Sequence, residues 1–209
     1  MAERPHRRHA VSLWFRVRGS FVILAVIVVT LIVLALPVSA LAATPSPLGA
    51  TLAAACFLAL AVPVAVGWGC SRGDAHLELV GVQPVRLLDL VLATVAVGVT
   101  ALVALALQQT GLAPAGAVAA RAELVYLGLL LFAYPFAGWR IATVVPAIYL
   151  LAVVVMGRGE DIIHPAAWAW IAAQGGDMRS WLLTLAVLGA GLLAYSALPV
   201  RGPVGSGSS

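Results

Sequence analysis

The side chains in this 209-residue chain that could do chemistry are few: eight acids, four histidines and two cysteines. A metal centre needs three or four such groups converging, and a catalytic nucleophile needs a base within one hydrogen bond of it. His6 and His9 sit in a basic tail with Arg4, Arg7 and Arg8, while His76 and His164 lie far apart in polar stretches. No His–His or Cys–His pair therefore shares the face of an apolar helix. Cys56 and Cys70 are 14 residues apart, one inside an apolar run and one at its end, which suits packing rather than zinc or a disulfide framework. His164, next to Pro165, has Glu160 and Asp161 nearby and could join them on a metal, but the same residues make an ordinary solvated turn. The chain contains no Lys and no Gly-rich phosphate cradle, so it has no nucleotide site of its own and any ATP must be bound by another chain.

The acids closest to apolar runs, Asp89 and Glu123, stand where such runs begin and read as interfacial carboxylates facing water. On that reading no titratable group lies at membrane depth, which argues against an ion-coupled carrier or proton pump. Thr30, Thr51, Thr94, Thr100, Thr143 and Thr184 are expected to return hydrogen bonds to their own helices.

These groups must be positioned by a membrane-embedded scaffold. Apolar residues make up 63 % of the chain and charged ones 10 %, and mean hydropathy is +1.07, beyond what a water-soluble domain sustains. The net charge of +4 comes from twelve arginines and fits membrane orientation; a nucleic-acid reader is excluded.

Residues from Gly19 to Ser71 carry no charge, enough for two crossings, with a break at Ala43-Thr44-Pro45-Ser46-Pro47. Six spans are predicted, over 21–41, 48–68, 87–107, 124–139, 141–156 and 181–198. The fourth and fifth form a hairpin that turns at Gly138-Trp139-Arg140. The expected fold is all-α: a polytopic membrane protein with an interfacial elbow in residues 1–20 and a six-span domain in 21–198. A cytoplasmic tail over 199–209 ends in the linker-like Gly205-Ser206-Gly207-Ser208-Ser209. With the N-terminus inside, nine arginines (4, 7, 8, 16, 18, 72, 86, 140, 201) fall on the inner side and three (121, 158, 179) outside, so both termini are expected to be cytoplasmic. The first span has some features of a signal peptide, but its apolar core is too long for one. Pro37, Pro63, Pro135 and Pro146 fall within the spans as candidate kinks.

Three segments carry more specific information. Val11 to Arg18 mixes Trp14 and Phe15 with Arg16 and Arg18, the composition of a segment lying in the headgroup layer. In the loop between the second and third spans, Asp74 is a good N-cap for a short helix, Glu78 sits near that helix's positive end, and Gly81 and Pro84 stop it. The pattern Arg72-Gly73, Leu77-Glu78-Leu79 and Pro84-Val85-Arg86-Leu87-Leu88 resembles the first cytoplasmic loop of type-2 (export-type) ABC transporter permeases. Two positions depart from that pattern: Ser71 replaces the acid before the Arg, and Ala93-Thr94 replaces a Gly-Lys in the third span.

The resemblance implies that residues 74–82 form a coupling helix, with Asp74, His76, Leu77, Glu78, Leu79 and Arg86 facing an ABC ATPase subunit. It also implies a second permease, identical or different, and ATP with Mg held by the ATPase. The third segment, Gly157 to Ser180, would then cap the outer exit as a gate, with Glu160, Asp161, His164, Trp168 and Trp170. Phe57 and Tyr149 are candidate lining residues for an apolar or amphipathic cargo. No catalytic role is expected of the chain. Abundant Ala, Val and Arg without Lys points to a GC-rich bacterial genome and a plasma-membrane location. Two other readings fit the composition. One is a vitamin-uptake binding subunit, whose pocket would draw on Gln108, Gln109, Glu160 and Asp161; the other is a purely structural membrane subunit.

Overall fold

Uncharged runs of Ala, Val, Leu and Ile cannot leave peptide groups bare in hydrocarbon, so they close hydrogen bonds within their own helices. The computed structural model describes Trp14 and residues 18–36, 47–72, 85–157, 168–173 and 175–199, and among these it contains six α-helices and no strand. They are α1 (Ser20–Leu34), α2 (Pro47–Ser71), α3 (Val85–Gln109), α4 (Gly116–Ala142), α5 (Val144–Met156) and α6 (Met178–Ala197), with a 3₁₀ turn (Trp170–Ala172) before α6. Four of these, α2 from Leu52 onward, α3, α4 and α6, are long and apolar enough to cross a membrane. The apolar α1 and α5 have 15 and 13 residues, or about 22 and 20 Å at roughly 1.5 Å per residue.

Each predicted apolar segment forms a helix, but several ends move. The first helix stops at Leu34, short of the predicted 41, with Pro37 three residues on, where a ring without an N–H cannot extend it. The fourth begins at Gly116, two turns before the expected 124. The hairpin turn is where it was expected: Gly138 has φ 69° and ψ 170°, a left-handed backbone that glycine adopts without strain. Pro63 and Pro135 lie inside helices, whereas Pro146 is in the first turn of α5, where its missing N–H has no intrahelical partner to lose.

The helices run alternately up and down, and α4 is the central one. It packs against α2, α3, α5 and α6, and much of its surface is buried. Small residues allow the closest approach. A Cβ on Gly128 of α4 would stand 2.8 Å from the Val187 carbonyl oxygen of α6, and one on Gly191 would strike the backbone of Gly128. The outside of the bundle is apolar, with Phe21, Leu102, Phe136, Leu151 and Leu193 all exposed. Aromatic residues gather at its two ends: Trp68, Tyr134, Trp139 and Tyr195 at one, Tyr149, Trp168, Trp170 and Trp181 at the other, as in the belts that mark membrane–water interfaces.

Candidate functional site

The first of these ends also carries Arg18, Arg72, Arg86 and Arg140. Arg18 precedes α1 and is 1 % exposed. Its Nη2 donates to Asp89 Oδ2 at 2.9 Å on α3, and its Nη1 donates to the carbonyl of Cys70 at the end of α2. The approach depends on glycine at two points: Gly19 turns the chain with φ 67°, and a Cβ on Gly69 would collide with the Arg18 carbonyl. One side chain thus clasps the start of α1, the end of α2 and the start of α3, on both sides of the loop between α2 and α3.

Arg86 makes a second brace. Its Nη2 donates to the carbonyls of Tyr195 and, at 2.7 Å, Leu198, and the Tyr195 hydroxyl donates back to the Arg86 carbonyl at 2.9 Å. The guanidinium lies 4.8 Å from the Tyr195 ring centroid and 5.9 Å from that of Tyr134. A cation thereby meets the carbonyl end of α6, where the helix dipole favours it. Arg72 covers the Trp68 ring at 4.6 Å.

Of the residues expected to meet an ATPase, Asp74, His76, Leu77, Glu78 and Leu79 lie outside the described residues, and Arg86 is the half-buried brace just described. Glu160, Asp161 and His164, expected at the opposite end, also lie outside them, and of the elbow only Trp14 and residues 18–20 are described. Trp168, Trp170 and Tyr149 come together: the Tyr149 hydroxyl donates to the Trp168 carbonyl at 3.1 Å, and the rings of Tyr149 and Trp170 are 5.9 Å apart. Phe57 stands exposed on α2. No protein-family model matches the chain, and no curated protein or solved structure matches it either.

Each end holds polar groups placed differently from the expectation. Asp89 and Glu123 do not face water. They are 2 % and 1 % exposed, Asp89 because Arg18 pairs with it and Glu123 because α4 starts two turns early and carries it inside. Arg121 is likewise fully buried, donating to the carbonyls of Ile171, at 3.1 Å, and Ala173, so it closes the 3₁₀ turn onto α4. The signal for this lay in Ala113–Ala122, a run of small residues with no breaker after Gly116, which lets a helix continue and pack tightly. Gln108 accepts from the Ala117 amide and ties α3 to the first turn of α4.

Asp177 caps α6, accepting from the amides of Arg179 and Ser180 at 3.2 and 3.3 Å and from the Ser180 hydroxyl. The hydroxyl bond does most to hold this carboxyl below the usual carboxylate range. Partial desolvation opposes it, and the two amides and the nearby Arg121 charge reinforce it. Cys56 and Cys70 are buried and form no disulfide, and among the described residues no group of three His, Cys, Asp or Glu could hold a metal ion.

Proposed function

We propose that this chain is the membrane subunit of an ATP-driven, export-type ABC transporter. On this reading all six helices belong to a six-span domain with both termini in the cytoplasm of a bacterial cell. The arginine-rich end is the cytoplasmic one. A second permease completes the route, and separate ATPase subunits bind ATP and Mg.

The observation that carries the reading is the Arg18 clasp. Any soluble partner that grips the loop 73–84 pulls on Cys70 and Asp89, and Arg18 ties both to the start of α1. A displacement of the loop is then passed to three helices together, and Arg86 extends it to the end of α6. Rigid elements with fixed joints are what a mechanical coupling between ATP closure and an outer gate requires. At the far end, the contact of Tyr149 with Trp168 and Trp170 supports a closed outer gate built from the segment before α6.

The test is purification from the native membrane in mild detergent, with companions identified by mass spectrometry. A stoichiometric P-loop ATPase is expected, and substitution of Glu78 should reduce ATPase stimulation without unfolding the subunit. Repeated isolation without an ATPase would overturn the exporter reading and favour a small-molecule binding subunit.

A further inference from the structure

Three acids fall among the described residues: Asp89 is paired with Arg18, Asp177 caps α6, and Glu123 does neither. Glu123 is 1 % exposed, and its Oε2 has no hydrogen-bond partner. It lies seven residues into α4, roughly 10 Å along the axis at about 1.5 Å per residue, inside a helix long and apolar enough to cross a membrane. We propose that Glu123 is an intramembrane proton-binding site. It carries its proton while α4 is packed against its neighbours and releases it to water when α4 separates from them.

Buried polar groups that serve only the fold are normally hydrogen-bonded. Thr100 and Thr184, both buried, obey that rule, returning their hydroxyls to Ala96 and Ser180 of their own helices. Glu123 Oε2 does not, and most polar groups around it are engaged elsewhere, the exception being the buried indole Nε1 of Trp170, which lies in the 3₁₀ turn and has no acceptor. On α4 itself, Arg121 donates to the 3₁₀ turn and the Tyr126 hydroxyl donates to the Cys56 carbonyl at 3.3 Å. From α5, Tyr149 donates to Trp168; from α2, Cys56 is a buried free thiol. The polar groups of α6 at this end are Asp177 and Ser180, joined in its cap, Trp181, whose indole donates to the Gly175 carbonyl, Thr184, which donates to the Ser180 carbonyl, and the exposed Arg179, while α3 contributes Gln108, which accepts from Ala117. The charged residues of α3, Arg86 and Asp89, are at the far end, and the 3₁₀ turn has none.

A carboxylate left in this setting would be an unpaired charge in a low-dielectric core, whereas the neutral acid is far cheaper to bury. A metal cation does not fit, because one carboxyl without a set of further oxygen donors cannot replace its hydration shell. The step is simple ionisation: the carboxylic O–H bond breaks, the proton passes to water and the carboxylate remains, hydrated only while α4 is parted from its neighbours. Repacking then requires a proton to return first. The site thus makes the packed position of the central helix dependent on protonation, whatever partner drives the rest of the cycle.

Infrared spectroscopy of the full chain in phosphatidylcholine vesicles near neutral pH tests this directly. The wild type should show a protonated-carboxyl C=O band that shifts down in D₂O, and E123Q, which keeps the shape of the neutral acid, should lose it. Absence of the band in the wild type, or its persistence in E123Q, would overturn the proposal. If E123Q does not fold, the wild type decides by labelling with dicyclohexylcarbodiimide, an apolar reagent that attacks protonated carboxyls. An adduct mapped to Glu123 near neutral pH is expected, and an unmodified Glu123 peptide would overturn the assignment.

Discussion

Arg18 Nη2 and Asp89 Oδ2 stand 2.9 Å apart although 71 residues separate them in the chain, and both side chains are almost completely buried. Removing either partner leaves the other as an uncompensated buried charge, a change that typically costs about 3–5 kcal/mol. R18A and D89N should each lower stability by that order, while the double replacement R18M/D89L should recover most of the loss. Thermal unfolding in detergent can be followed with a thiol-reactive dye, since Cys56 and Cys70 are both buried and form no disulfide. Equal stability of R18A and wild type would refute a structural role for the clasp.

Arg121 offers a contrast, because its partners are carbonyl oxygens of the 3₁₀ turn rather than a carboxylate. R121L leaves those buried acceptors unserved, a change of about 1–3 kcal/mol. The effect should be local. Amide hydrogen exchange over residues 168–173 is expected to accelerate markedly, with little change in α2 or α3.

The crossing of α4 and α6 predicts an asymmetry among glycines. G128A brings a methyl to 2.8 Å from the Val187 carbonyl and 2.9 Å from the Leu188 backbone, so the helices must part, at about 1–3 kcal/mol. Gly189, on the same helix as Gly191, has nothing within 4 Å of an added Cβ. G189A should be neutral or stabilising by about 0.5–1 kcal/mol, from the lower chain entropy of Ala. Melting temperatures of G128A, G191A and G189A measured side by side decide the point.

Asp177 predicts a pH dependence. Its carboxyl is held below the ordinary range in the folded chain, so its stabilising contribution is complete above the unfolded value and is lost as pH falls through the folded one. Melting temperature should therefore drop in acid below the usual carboxylate range. D177N, which still caps but does not titrate, should flatten that drop. A wild-type acid limb identical to that of D177N would show that the cap does not titrate with folding.

The helical segments were legible in the sequence because an uncharged apolar run has few alternatives to a helix, and Gly138 marked its hairpin by type alone. The surroundings of the charges were not legible. Asp89 and Glu123 begin their apolar runs in the same way, yet one is neutralised by a residue 71 positions away and the other is left without a partner on Oε2. Periodicity says which residues are greasy; it is silent on which neighbour covers a given carboxylate. The partners of Arg121 were hidden for the same reason, since these carbonyls lie 50 and 52 residues further along the chain. The clasp residue Arg18 read only as one more positive anchor, because a charge count weighs every arginine alike.

The brevity of α5 bears on the lipid around the protein. At 13 residues it is about 20 Å long, and with residues 139–142, which follow the turn at Gly138, the whole leg reaches about 27 Å, a few ångströms less than the roughly 30 Å hydrocarbon layer. Its outer face is nonetheless wholly greasy, with Ile148, Leu151, Val155 and Met156 exposed. Along that flank the bilayer meets a low wall, so acyl chains there must tilt or shorten and headgroups must dip toward the helix ends. Such a dimple draws short-chain or disordered lipids to one side of the molecule and makes that side the softest place in the surrounding membrane.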